Sequence, residues 1–150
     1  MAAVDYKNAK LIVETSTIAA GQLTWQSPSN IALVKYWGKH GDQLPNNPSL
    51  SFTLQQAVST TTLAYRPKKG TDTGLDLSFT FHGKPQPAFA EKIKQYFHKL
   101  RDYFPFIKQF SFDINSENSF PHSAGIASSA SGMSALALCL CAMEQELFGN

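Results

Sequence analysis

Hydrophobic and polar residues alternate along several stretches of the chain, and a spacing of two residues is typical of β-strands. The clearest stretch is residues 75–81, where every second residue is Leu or Phe. Alternation or an enrichment in β-branched residues also predicts strands in residues 50–54, 58–65 and 110–114. A further apolar run, residues 30–37, follows Pro28 and predicts a strand that leads into a loop.

Two other segments repeat hydrophobic residues every three or four positions, which is the spacing of one face of an α-helix. Residues 88–104 predict an amphipathic helix that Pro105 ends, and residues 128–148 predict a longer helix rich in Ala and Ser. Gly149 fits the position just after the second helix. The hydrophobic stripe of the first helix is Phe89, Ile93, Tyr96, Phe97, Leu100 and Phe104, and that of the second is Met133, Leu136, Ala137, Leu140 and Leu147.

Turn-forming residues separate these elements. Residues 38–48 and 66–74 contain the Gly, Pro, Asn and Asp that favour loops, and residues 115–118 predict a polar loop. Residues 1–20 have little pattern and predict an N-terminal extension, either an additional strand or a mobile arm. Strands followed by a helix, a strand and a helix predict an α+β domain in residues 21–150. Because no strand follows the last helix, we expect this domain to be part of a longer enzyme.

The composition excludes several classes of protein. The chain is 43% hydrophobic and 16% charged, with a net charge of +2, and its Lys and Arg residues are scattered, unlike those of a nucleic-acid-binding surface. A site for a small anion needs only two or three of them. No run is long enough for a membrane span, and no secretory signal precedes the domain. Cys139 and Cys141 lie two residues apart on a predicted helix, which suits neither a metal site nor a redox pair. We interpret both as buried thiols of a cytoplasmic protein.

Small residues precede the last predicted helix. Residues 121–132 read Pro-His-Ser-Ala-Gly-Ile-Ala-Ser-Ser-Ala-Ser-Gly. The start of a helix has unpaired backbone N–H groups and a partial positive charge, so it can bind a phosphate, and Ser128 and Ser129 add hydroxyls suited to phosphate or Mg²⁺. The segment is not the Lys-containing P-loop. Taken alone, the segment favours a plain N-capped helix that packs tightly through Ala and Ser, and only the second motif described next favours a phosphate site.

A second polar cluster follows the apolar run at residues 30–37. Lys35, Tyr36 and Lys39 place two ammonium groups and a phenol close together in sequence. These donors suit a diphosphate, which has several negative charges and many acceptor oxygens. A pair of surface lysines beside a buried Trp37 explains the same spacing equally well.

Together these motifs resemble the diphosphomevalonate decarboxylase family of the GHMP kinase superfamily. The matching segments are Asn-Ile-Ala at 30–32, Lys-Tyr-Trp-Gly-Lys at 35–39, the Ser-Leu-Ser and Thr-Leu pairs in 49–54, and the Ala-Gly-Ile-Ala-Ser-Ser-Ala loop in 121–130. Related kinases share that loop but often have a Gly-Glu-His type sequence near the Lys-Tyr-Trp-Gly-Lys position, which favours the decarboxylases. The departures from the family pattern are Pro48, His122 for a common Thr, and Ile126 for a common Leu.

The resemblance implies a truncated GHMP kinase N-terminal domain, which has the ribosomal protein S5 domain 2-like fold, and it implies roles for particular residues. Asn30, Tyr36 and Lys39 would bind the substrate diphosphate, with Lys35 in the same site. Mg²⁺ would lie at Ser128 and Ser129. The residues implied to hold the phosphates of ATP are Gly125, Ala127, Ser128, Ser129 and Ala130.

The implied reaction is the ATP-dependent decarboxylation of mevalonate 5-diphosphate to isopentenyl diphosphate, ADP, phosphate and CO₂. Family members use an aspartate near the reacting hydroxyl, and none of the aspartates in this sequence lies in a matching motif. We therefore expect the catalytic base beyond Asn150, and no activity from these residues alone. The implied partner is a small-molecule substrate, with neither nucleic acid nor membrane, and the complete enzyme would form a homodimer as family members often do. The alternatives are a small-molecule kinase of the same superfamily and a non-catalytic anion-binding domain.

Overall fold

The computed structural model describes residues 6–41, 44–69, 74–121 and 126–149. The strands and helices of the described residues are β1 (Gly21–Val34), β2 (Lys39–His40), β3 (Leu44–Pro45), β4 (Leu50–Pro67), β5 (Asp76–Phe81), β6 (Lys84–Pro85), α1 (Pro87–Leu100), β7 (Phe110–Asn118) and α2 (Ser128–Phe148). Thr15–Thr17 and Pro105–Gln109 form short 3₁₀ helices.

Five strands form one mixed sheet in the order β1-β4-β7-β5-β6, and β2 and β3 form a separate ladder. Within the sheet, β5 and β7 are parallel and the other neighbours are antiparallel. Both helices cover the same face, because β7 contacts each of them: Phe112 packs against Phe97 of α1, and Ser116 lies beside Gly132 of α2. The architecture is α+β, as the sequence predicts.

The core lies between this face and the two helices. Alternate residues of β4, β5 and β7 point into it, which confirms the spacing of two in the sequence. Phe97 is fully buried, and its ring meets the ring of Phe112 edge to face at a centroid distance of 5.4 Å. Aromatic pairs with this geometry add to the stability that burial alone provides.

Residues on both sides of Pro28 form one strand, β1, so the strand predicted for residues 30–37 begins earlier, at Gly21, and ends at Val34. Pro28 is tolerated because β1 is an edge strand, where an absent N–H need not break a ladder. Residues 50–67 form a single 18-residue strand, β4, which pairs with β1. The register of this pairing shifts between Pro28 and Ser29 of β1. The predicted loop at residues 38–48 contains the short β2–β3 ladder among its described residues. Of the predicted turn at residues 66–74, Arg66 and Pro67 belong to β4, and residues 70–73 lie outside the described part.

Two further predicted boundaries are wrong. The helix predicted for residues 88–104 ends at Leu100, whose carbonyl oxygen accepts hydrogen bonds from the N–H groups of Tyr103 and Phe104 in a closing turn. The polar loop predicted for residues 115–118 belongs to β7, since β4 pairs with all four residues and β5 pairs with Asn115 and Ser116. Its polar residues have partners within the sheet: Thr80 donates a hydrogen bond to Asn115 Oδ1 at 2.8 Å.

The described part of the predicted N-terminal extension forms no strand, and three of its apolar residues pack on the core. Leu11 is buried, and Val13 and Ile18 contact the core. The backbone of Val13 forms two hydrogen bonds with the side chain of Gln109, at 3.0 and 2.7 Å. These contacts fix the segment to the 3₁₀ helix that precedes β7.

The prediction that both cysteines are buried is wrong for Cys141, which is exposed, whereas Cys139 is buried. Residues two apart on a helix point about 200° apart, so only one of them can face the sheet. Burial raises the pKa of Cys139 to about 11. It raises the pKa of Cys141 too, with a further contribution from the negative charge of Glu144. Neither helix in the described residues is long and apolar enough to cross a membrane.

Candidate phosphate-binding site

Helix α2 begins at Ser128, as the sequence predicts, and its N-terminal end has the features of an anion site. The first helical hydrogen bond runs from the N–H of Ser131 to the carbonyl of Ala127, so the N–H groups of Ser129 and Ala130 precede it. Ala127 has no side chain that could cap them, and the first turn contains no acidic residue. Ser129 and Ala130 are exposed. A phosphate could therefore approach these amides without displacing a carboxylate.

A cavity of about 150 Å³ adjoins the start of α2. Ser128 and Ser129 line one part of it, and Asn118 and Gln86 contribute further polar groups. The remaining walls come from α1, α2 and the sheet face between them, and they are mostly aromatic or aliphatic: Phe79, Phe81, Phe89, Ile114, Met133 and Leu136. A small molecule with an anionic end and an apolar body would match this arrangement.

The predicted substrate residues lie on one end of the β1–β4 pair, which we call the hairpin: residues 29–34 of β1, residues 50–54 of β4 and the described residues of the loop between them. Asn30 is in β1, where its side-chain amide donates a hydrogen bond to Ser51 Oγ at 3.3 Å. Lys35, Tyr36 and Lys39 follow the end of the strand and are exposed, and the ammonium of Lys39 lies 5.5 Å from the centroid of the Tyr36 ring. This contact brings the cation and the phenol together, as a shared anion site requires.

Two asparagines shape the loop that holds these residues. Asn47 Oδ1 accepts a hydrogen bond from the N–H of Trp37 at 2.6 Å, and Asn46 donates its backbone N–H to the carbonyl of Gly38 at 3.2 Å. Gly38 has φ of +74°, a conformation that favours glycine, and a Cβ there would meet the side chain of Asn46 at 2.8 Å. The Lys-Tyr-Trp-Gly-Lys segment thus has a defined turn at its glycine. Trp37, which the alternative of a surface lysine pair placed in the interior, is 83% exposed.

The structure brings some of the predicted site residues together and leaves others apart. Ser128 and Ser129 share the cavity, but Asn30, Lys35, Tyr36 and Lys39 do not line it. Ala127 and Ala130 flank the two serines, and Gly125 lies outside the described residues, as does His122. The meeting of the two groups around neighbouring phosphates therefore stays a prediction.

Sequence reasoning missed a layer of buried hydroxyls beneath the first turn of α2. Its members are Ser59, Thr61, Ser116 and Ser131, and all of them are at most 5% exposed. The sequence could have predicted two of them. Ser59 and Thr61 precede Leu63 at intervals of two residues along β4, so their side chains must lie on the same face of the sheet as Leu63. Polar residues at inward positions of a strand usually have specific partners.

The residues at the N-terminal end of α2 are suited to bind a metal ion that accompanies the phosphates of a nucleotide. Mg²⁺ keeps several waters and binds phosphates together with one or two protein oxygens. The hydroxyls of Ser128 and Ser129 are oxygens of this kind, whereas the first turn of α2 has no carboxylate that could hold the ion alone. Within the described residues, no three His, Cys, Asp or Glu side chains group together as metal ligands.

The sheet order, the helices on one face and the open start of α2 define an α+β domain of the GHMP kinase type. A sequence model of the diphosphomevalonate decarboxylase-like N-terminal domain matches residues 27–147, and the chain belongs to this family. It is 39% identical over 133 residues to a diphosphomevalonate decarboxylase from Ganoderma lucidum, which covers 81% of this chain and 33% of that relative.

Solved structures agree with this assignment. A mevalonate diphosphate decarboxylase from Legionella pneumophila has 34% identity and a TM-score of 0.64, with 85% of this chain and 41% of that chain covered. A complex of MDDEF with MVAPP, AMPPCP and magnesium has 31% identity and a TM-score of 0.60, with 81% and 38% covered. The chain spans about one third of the length of the curated relatives it matches.

Proposed function

We propose that residues 21–150 form the N-terminal ATP- and substrate-binding domain of a diphosphomevalonate decarboxylase, preceded by an extension at residues 1–20. The whole enzyme would convert mevalonate 5-diphosphate and ATP to isopentenyl diphosphate, ADP, phosphate and CO₂. One observation carries the proposal: within the region that matches the family, α2 starts beside a mostly apolar cavity, and its N-cap residue Ala127 makes no side-chain cap there.

In this proposal the phosphates of ATP lie at the start of α2. The N–H groups of Ser129 and Ala130 donate to phosphate oxygens, and the hydroxyls of Ser128 and Ser129 bind phosphate or the accompanying Mg²⁺. The backbone N–H groups of Gly125 and Ala127 would also donate to phosphate oxygens. The similar MDDEF structure, which contains AMPPCP and magnesium, supports the choice of ligands.

The hairpin would hold the diphosphate of the substrate. The cation of Lys39, the phenol of Tyr36 beside it and the amide of Asn30 supply donors of the kind that a diphosphate accepts, with Lys35 adding positive charge. These side chains are exposed, and enclosure by other parts of the enzyme would strengthen their interaction with the diphosphate further.

The chemistry needs positioning and neutralisation of charge more than covalent assistance. A tertiary hydroxyl is a poor leaving group, and phosphorylation by ATP turns it into a good one. Its departure leaves positive charge on the carbon, and the adjacent carboxylate then loses CO₂. The helix mouth and the lysines would stabilise the negative charge on the transferring phosphoryl group and on the diphosphate. The aspartate near the reacting hydroxyl would come from outside these 150 residues.

One face of the hairpin supports a role within a larger protein. Ile31 and Phe52 lie directly opposite each other, and with Leu33 and Leu50 they are between 36% and 64% exposed. Two strands alone are marginally stable, and an apolar face of this kind usually packs against another part of the same protein or a partner. We propose that the part of the enzyme that corresponds to the remaining two thirds of the relatives covers it. The proposed location is the cytoplasm, where the thiols of Cys139 and Cys141 stay reduced.

Ligand preference distinguishes this proposal from its alternatives. Titration calorimetry with Mg²⁺ and an ATP analogue would compare mevalonate, its 5-phosphate, its 5-diphosphate and inorganic diphosphate. A decarboxylase domain should bind the 5-diphosphate at least about tenfold more tightly than the others, because each additional charge-assisted hydrogen bond contributes about 1.5–3 kcal/mol. The substitution Lys39→Ala should weaken binding of the 5-diphosphate about tenfold.

The substitution Lys84→Ala, which removes an exposed lysine from β6, is the matched control and should change nothing. Preference for mevalonate or its 5-phosphate would point to a small-molecule kinase of the superfamily. Equal binding of inorganic diphosphate and the 5-diphosphate would point to a non-catalytic anion-binding domain. Either result would refute the decarboxylase assignment.

A further inference from the structure

A chain of short hydrogen bonds joins the first turn of α2 to the sheet and to the cavity. Ser131 Oγ lies 2.6 Å from Ser59 Oγ on β4, and Ser59 Oγ donates to Asn118 Oδ1 on β7 at 2.7 Å. Ser59 is fully buried and Ser131 is 3% exposed, so water does not compete for these bonds. Such bonds are stronger in a low-dielectric interior than at the surface.

The number of hydroxyl protons decides which residue is the donor in each of these hydrogen bonds. A hydroxyl has one proton, and the proton of Ser59 is used on Asn118 Oδ1, which can only accept. Ser131 must therefore be the donor in its 2.6 Å contact with Ser59. Its contacts with the carbonyls of Ala127 and Ser128, at 3.3 and 3.1 Å, are longer. The hydroxyl of Ser131 thus bonds outward to the sheet in preference to its own helix.

This series of hydrogen bonds ends at the wall of the cavity. Asn118 lines the cavity together with Ser128 and Ser129, and its Nδ2 is buried without a hydrogen-bond partner among the described residues. With Oδ1 held by Ser59, this amide cannot turn freely. A buried donor without a partner has a cost that a ligand acceptor would remove.

We propose that Ser59 is a positioning residue, which through Ser131 fixes the first turn of α2 and through Asn118 fixes the adjoining cavity wall. Ser59 touches no ligand in this arrangement. It sets the amides of Ser129 and Ala130 at a fixed distance from the sheet, so that phosphate binding need not order them first. A second bond reinforces it, since Thr61 Oγ1 lies 3.4 Å from the carbonyl of Gly132. The effect on phosphate binding rests on the proposed function, whereas the effect on the helix turn does not.

Helix propensity and the positioning role predict opposite effects of Ser131→Ala on the first turn of α2, so this substitution distinguishes them. Alanine is the best helix former, so propensity alone predicts that Ser131→Ala strengthens the first turn. The positioning role predicts that the same substitution loosens it. Because both serines act through one bond, the double variant Ser59→Ala/Ser131→Ala should be no looser than the more affected single variant.

Amide hydrogen exchange of the whole chain, followed by NMR, measures the turn directly. In Ser59→Ala and in Ser131→Ala, the backbone amides of residues 131 and 132 should exchange about threefold to tenfold faster, which corresponds to the net contribution of one buried hydrogen bond. The amides of Leu136 and Leu140 in the middle of α2 should keep their rates. Ser111→Ala is the matched control, because Ser111 is a buried serine at the other end of β7.

Affinity for ATP and for adenosine provides the functional measurement. Ser59→Ala should weaken ATP binding by about the same threefold to tenfold, through the same bond, and leave adenosine binding within about twofold. Unchanged exchange in the first turn of Ser59→Ala, or slower exchange in Ser131→Ala, would overturn the positioning role. If the wild-type chain binds no ATP, the proposed function is wrong, and the exchange rates alone decide whether Ser59 fixes the turn.

Discussion

Replacing Ser129 with glutamate should weaken ATP binding about 100-fold while leaving the fold at least as stable. A carboxylate about 5 Å from a phosphate at a partly enclosed site costs roughly 3 kcal/mol for each pair of charges, even at an effective dielectric constant of about 20. The same carboxylate in the first turn of α2 interacts favourably with the helix dipole, by about 0.3–1 kcal/mol. Calorimetry with ATP and thermal unfolding of the same samples measure the two effects.

The matched control is Ser129→Gln, which has the size of glutamate without its charge. Ser129 is exposed, so neither side chain must displace the core. Glutamine should reduce ATP affinity by less than about tenfold, because it removes one hydroxyl and adds no repulsion. Equal losses in the two variants would mean that size and not charge matters there, and the anion site would have to lie elsewhere.

Truncation of Phe97 to alanine should lower the free energy of unfolding by about 3–5 kcal/mol, because the ring is fully buried and a cavity would remain. Phe97 joins α1 to β7 through its edge-to-face contact with Phe112. Urea unfolding monitored by circular dichroism measures the change. A loss of this size can exceed a third of the stability of a small domain.

Phe52 on the hairpin offers a control of the same residue type, since 46% of it is exposed. Phe52→Ala should cost less than about 1 kcal/mol, in line with substitutions away from the core. If Phe97→Ala costs no more than Phe52→Ala, α1 does not pack on the sheet as described. Phe97→Leu should recover about half of the loss, because it restores apolar volume without the ring contact.

The elements that the sequence predicted well are those with a strong repeat and an unambiguous end. The alternation in residues 75–81 marks β5, and Ser128 and Gly149 mark both ends of α2. Gly149 has φ of +69°, which explains why a glycine stands there. In each case the local preference of the chain and its tertiary surroundings agree.

The errors arose where tertiary contacts override local preference. Residues 115–118 are polar and would form a loop on their own, but β4 and β5 supply partners on both sides and extend the strand. Phe104 continues the hydrophobic stripe of α1 in sequence, yet it lies beyond the helix and packs against Phe106. Cys141 was assigned to the interior by residue type, although the helical spacing from Cys139 already required it to face away.

The candidate site was partly predictable for the same reasons. Small residues before Ser128 and the cations near Trp37 are visible in the sequence, because helix ends and charges have local signatures. The cavity beside α2 is not visible, since its walls come from α1, α2, β5 and β7. Nor is the bond between Ser59 and Ser131, which are 72 residues apart. Sequence spacing along one element cannot reveal contacts of that range.

We propose that the start of α2 and the hairpin bind the phosphates of two neighbouring ligands. Amide NMR spectra of the isotope-labelled chain, recorded during titration with Mg²⁺, an ATP analogue and mevalonate 5-diphosphate, would show where each ligand binds. The nucleotide should shift the signals of Ser129, Ala130 and Ser131, and the diphosphate should shift those of Asn30, Tyr36 and Lys39. Signals that move instead on the opposite face of the sheet, with both groups unchanged, would contradict this proposal.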